Sequence, residues 1–64
     1  MIDYRDIFTT AKLLIDEHSA AASEVAHRRS DQLFHEGDHE GATVWRQIRA
    51  AIDDLQRRGG RLRR

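Results

Sequence analysis

The five residues Gly37-Asp38-His39-Glu40-Gly41 constrain this chain more than any other stretch. A glycine reaches the left-handed backbone region that ends a helix, and an aspartate directly after it is a preferred N-cap for the next one. On both sides of this punctuation the apolar residues recur at helical spacing. Val25, Ala26, Leu33 and Phe34 come before it, and Trp45, Ile48, Ile52 and Leu55 come after it. The pattern predicts an antiparallel helical hairpin over the C-terminal two-thirds of the chain, with Trp45 central to its core.

Upstream, Asp3 is placed to cap a first helix from about Tyr4 to Glu17, and Ile7, Phe8, Ala11, Leu14 and Ile15 share one face of it. The junction at His18-Ser19 admits two readings. Ser19 is an acceptable N-cap for a second helix, yet Ala20 to Ala22 are strong helix formers and no Gly or Pro enforces a break. The first reading is an all-α, small three-helix bundle with helices at about 4–17, 20–36 and 41–58. The alternative is a long-helix/short-helix hairpin that dimerises. A single helix from Tyr4 to Glu36 would run about 50 Å and the last helix only about 26 Å, leaving Ile7, Phe8, Leu14 and Ile15 for a second subunit to bury.

A chain of 64 residues without cysteine has no disulfide framework to support a thin core, so close helix packing or self-association has to stabilise it. The expected organisation is a single helical domain over 1–58 and a flexible arginine-rich tail over 59–64, with Gly59-Gly60 ending the last helix and Asp53–Arg57 and Asp54–Arg58 pairing one turn apart on it. Net charge is zero but unevenly spread: residues 1–41 hold nine acidic and four basic side chains, residues 42–64 two and seven, so the parts carry −5 and +5. No run of apolar residues approaches a membrane span, and Asp3, Arg5 and Asp6 stand where a secretory signal would be apolar, so a cytoplasmic, membrane-free protein is expected. Ten arginines against one lysine hint at a GC-rich bacterial genome.

From Arg29 onward the chain reads Arg29, Asp31, Leu33, Gly37-Asp38, Gly41-Ala42, Trp45, Ile48, Ala51-Ile52 and Leu55, with Ala11-Lys12-Leu13-Leu14-Ile15 and His18 upstream. This resembles a family of short alphaproteobacterial helical proteins of unknown function with a GD-x-x-GA-x-x-W-x-x-I hairpin. The resemblance implies three helices, and a helix break after the histidine, where members often carry glycine and this chain has Ser19. It implies no activity. Leu33 to Ile52 is more loosely similar to one tetratricopeptide-type hairpin, a single unit of which builds no peptide groove.

No catalytic residues, metal ligands, cofactor or small-molecule substrate are predicted. His35-Glu36-Gly37-Asp38-His39 matches the H-E-x-x-H zinc-protease pattern, but that motif needs an unbroken helix and this one straddles a helix stop, so its residues read as turn residues. His27, Asp31 and His35 fall at i, i+4 and i+8, either a solvated stripe or a divalent-metal face. Arg29 interrupts the apolar stripe, and its stem is expected to cover the core edge while the guanidinium stacks on Trp45 or reaches water. The expected role is a non-enzymatic interaction protein or homo-oligomer that uses Ile7, Phe8, Leu14 and Ile15 as its protein interface. The alternative is weak nucleic-acid binding through Arg57, Arg58, Arg61, Arg63 and Arg64.

Overall fold

The computed structural model describes the backbone of residues 4–62 and the side chains of residues 5–58. All the secondary structure in that range is helical. It forms two stretches, residues 4–35 and 39–62, and a 3-10 turn at Ser19–Ala21 divides the first into helices α1 (Tyr4–His18) and α2 (Ala22–His35). The second stretch is helix α3 (His39–Leu62).

The hairpin between α2 and α3 is built as the glycine and aspartate dictate. Gly37 has φ +88°. Its N–H donates to the Phe34 carbonyl at 3.0 Å, and the Asp38 N–H to the Leu33 carbonyl at 2.9 Å, the paired bonds of a Schellman stop. The Asp38 carboxylate then accepts from the Gly41 N–H at 2.9 Å, which caps α3. Gly41 is small because of that cap: a Cβ there would lie 2.5 Å from the Asp38 carboxylate.

At the other junction the helix breaks, and Ser19 is not an N-cap. Ser19 has φ +51°, Ala21 occupies the position before α2, and no side chain caps that helix. The carbonyl of Ser19 accepts a 2.6 Å hydrogen bond from Gln56 Nε2, which pins the turn to α3. Arg49 reaches Ser23 Oγ at 3.3 Å and His27 Nδ1 at 3.2 Å, so α2 runs antiparallel to α3. Meanwhile Ile7 and Phe8 line one hollow with Gln47, Ala50, Ala51 and Asp54. A straight helix would carry Ile7 about 18 Å past Ser19, beyond the end of that contact. The chain therefore turns back at Ser19, and α1 returns along α3 in the same sense as α3.

That return answers the burial problem posed by the first helix. Ile7 and Ala11 of α1, Ala22 and Ala26 of α2, and Ile48, Ala51 and Ile52 of α3 form one buried cluster, with Phe8, Leu14, Ile15, Val44, Trp45 and Leu55 packed against it. Among the described residues, five of the buried hydrophobic positions, counting Ala42, are alanines, and Ile52 is the largest side chain buried completely. Small residues let the helices approach closely where few large ones are available to fill the space.

Several expectations are corrected here. Trp45 is only part-buried, at the edge of the core rather than at its centre, while Ile52 occupies the centre. Phe34, counted with the apolar stripe, is 46% exposed. The stripe Ala22, Ala26, Ser30 advances about 40° with each four-residue step, so by Phe34 it has drifted about 120° from its start and left the core. Arg57 turns to Asp54 (3.7 Å) rather than to Asp53, and Asp54 also holds Arg58 at 3.2 Å. Gly59-Gly60 does not stop α3, whose backbone continues to Leu62. Residues 63–64, and the side chains of 59–62, lie outside the described residues.

The left-handed Ser19 yields a prediction opposite in sign to most substitutions. A residue with a Cβ is strained at such a φ by about 1–2 kcal/mol, and glycine is not. After the extra chain entropy of glycine in the unfolded state is subtracted, Ser19→Gly should stabilise the protein by about 0.5–1 kcal/mol. A thermal melt should rise by a few degrees. A fall would show that the serine side chain contributes something its backbone strain conceals.

Candidate functional site

Two surfaces of α3 carry the features that a binding function needs, and they face different sides of the helix. The first is the hollow between α1 and α3, about 380 Å³, walled by Ile7, Phe8, Ala50 and Ala51 with Gln47 and Asp54 at its polar edge. Ala50 is exposed, and its short side chain leaves the space that a larger residue would fill. Of the four residues expected at a protein interface, Ile7 is buried within the chain itself, and Phe8, Leu14 and Ile15 are part-buried against the core. Ile7 and Phe8 meet in the hollow, whereas Leu14 and Ile15 do not line it.

The second surface spans α2 and α3. Arg49 bridges to Ser23 and His27, and three residues earlier Arg46 lays its guanidinium 5.8 Å from the centroid of the Phe34 ring. His39 stacks on the same ring, with centroids 4.8 Å apart and planes 15° apart, and His35 meets it edge-on at 6.2 Å. Periodicity read one helix at a time could not find this cluster. Its members come from the end of α2, the start of α3 and a position two turns into α3, and only the hairpin brings them together.

The remaining candidates fall as follows. Arg29 does stack on Trp45, its guanidinium carbon 5.9 Å from the ring centroid. His35 and His39 stand on opposite sides of the helix stop, each against Phe34. His27 Nδ1 faces the Arg49 guanidinium, which can only donate, so that nitrogen is the acceptor of the pair. Among the described residues no group of three or more His, Asp or Glu side chains is placed to hold a metal ion. Within the arginine set, Arg57 and Arg58 are drawn onto Asp54, the Arg61 side chain is not described, and Arg63 and Arg64 lie outside the described residues. No helix among the described residues is long and apolar enough to cross a membrane.

The chain matches no family model, no curated protein and no solved structure. Its own geometry carries the functional reading.

Proposed function

We propose that this chain is a small, non-enzymatic interaction protein of the bacterial cytoplasm. It works as a three-helix bundle that associates with a second copy of itself through the α1–α3 hollow. The observation that carries this reading is the hollow, an apolar recess of about 380 Å³ on a chain whose buried positions, among the described residues, are mostly alanine. A core so poor in large side chains leaves stability to be gained by burying more apolar surface, and the part-buried Phe8 beside exposed Ala50 offers that surface.

Ala50→Arg tests it without disturbing the core, because Ala50 is exposed and arginine is a good helix former. The wild-type protein is expected to gain mass with concentration in sedimentation equilibrium. The variant is expected to stay a monomer with an unchanged helical circular dichroism spectrum. A wild-type chain that is monomeric at all concentrations, or a variant that associates as the wild type does, removes self-association through this hollow.

A further inference from the structure

We propose that the face of the α2–α3 hairpin carrying Phe34, Arg46 and Arg49 binds single-stranded nucleic acid, with phosphates held by the two guanidiniums and a base set against the Phe34 ring. Among the described residues neither Arg46 nor Arg49 is within ion-pair distance of a carboxylate, although Asp53 stands one helical turn from Arg49, where such a pair forms readily. Arg49 turns away from it to the neutral Ser23 hydroxyl and the His27 ring, and Arg46 turns to an aromatic face. Both guanidiniums are thus positioned by groups that leave their charge uncompensated. An anion that meets them finds donors already oriented, at a smaller entropic cost than two free side chains would impose.

The ring decides which anion. An acidic peptide would use the arginines and leave Phe34 idle. A nucleic acid strand uses both, because a cationic track beside an exposed aromatic is what non-specific single-strand binding requires. Phe34 is 46% exposed, and the His39 imidazole stacked on one face of it holds the ring in place and is itself exposed, so a base stacks on what this aromatic pair leaves open. A duplex keeps its bases stacked on each other and would not present one to Phe34, so the single strand is the fitting form. Glu36, Asp38 and Glu40 make the turn end of the hairpin negative, so the phosphates run from Arg46 toward Arg49 and away from the turn. This inference does not depend on self-association: Arg49 stands on the side of α3 away from Gln47, Ala51 and Asp54, and Arg46 lies between the two surfaces, one turn before Ala50.

The test is fluorescence anisotropy of labelled oligothymidylate and oligouridylate with the full chain, from low to moderate salt. Wild-type binding is expected to weaken steeply with salt, with a log–log slope that falls by about 0.7 for each arginine replaced by glutamine. Phe34→Ala and Phe34→Leu are each expected to weaken binding between about 5- and 150-fold, the range of one lost base stack. Arg46→Gln and Phe34→Leu replace exposed side chains outside the buried cluster, so circular dichroism melts should match the wild type and separate lost binding from lost fold. Absence of binding at low salt would overturn the proposal, as would Arg46→Gln and Phe34→Leu variants that bind like the wild type. Loss of binding on deletion of residues 59–64 alone would overturn it in favour of the terminal arginines. Polyglutamate that competes as well as the oligonucleotides would assign the face to an acidic polypeptide instead.

Discussion

Ile52→Ala should bring the folded state close to its limit. Ile52 is fully buried and is the largest side chain among the described residues of which that is true, so its truncation leaves a cavity where α1, α2 and α3 meet. Removing a buried isoleucine costs about 2–5 kcal/mol through lost transfer energy and unfilled space. A 64-residue chain has only about 3–10 kcal/mol to lose. The melting temperature should fall by more than about 10 °C, and at the upper end of the range the variant should be largely unfolded at 25 °C. A melt within a few degrees of the wild type would mean that the core closes over the gap or that Ile52 is not its centre. Trp45→Ala, by contrast, should cost less than truncation of a fully buried tryptophan, because Trp45 sits at the core edge under Arg29.

The second large effect comes from adding volume instead of removing it. Ala22, Ala26 and Ser30 line the face of α2 that meets α3, and all three are buried. At Ala26, where exposure is 0%, an isobutyl group has nowhere to go unless the helices separate. Ala26→Leu should therefore destabilise by about 1–3 kcal/mol although it makes the chain more hydrophobic, and urea unfolding should show a lower midpoint. The same substitution at exposed Ala20 should stay within about 0.5 kcal/mol of the wild type. If Ala26→Leu stabilised the protein, α2 and α3 would have to be farther apart than their small residues imply.

What the sequence made legible divides along a physical line. Local chemistry was readable: the Gly37 stop, the Asp38 cap and the Asp54–Arg58 pair depend on residues a few positions apart. The turn at Ser19 was not readable from those rules, because its left-handed φ opposes the preference of serine and the helical preference of Ala20 to Ala22. Tertiary burial of Ile7 and Ala11 against α3, with Gln56 holding the Ser19 carbonyl, decides it. The alanine-rich core was similarly hidden. Reading large apolar residues as core promotes Trp45 and Phe34, whereas close helix approach buries the small ones and leaves those two at the edge or outside. Of the candidate surfaces, Ile7 and Phe8 are visible in the sequence as apolar residues, but the recess they share with Ala50 exists only because α1 turns back. The cluster of Phe34, His39 and Arg46 exists only because Gly37 and Asp38 fold α3 against α2.

The hollow exists only if α1 returns along α3, and an electron-spin distance measurement tests that directly. The chain has no cysteine, so Thr9→Cys and Thr43→Cys provide unique label sites, both exposed. With α1 folded back, Thr9 lies near the level of Ala50, and the two backbones should be about 15 Å apart, one helix spacing sideways and about two turns along the axis. If residues 4–35 formed one straight helix instead, the same sites would be separated by about 35 Å along the axis. A narrow distribution at the short distance is the predicted result. A distribution centred near the long one would contradict the fold and remove the α1–α3 hollow with it.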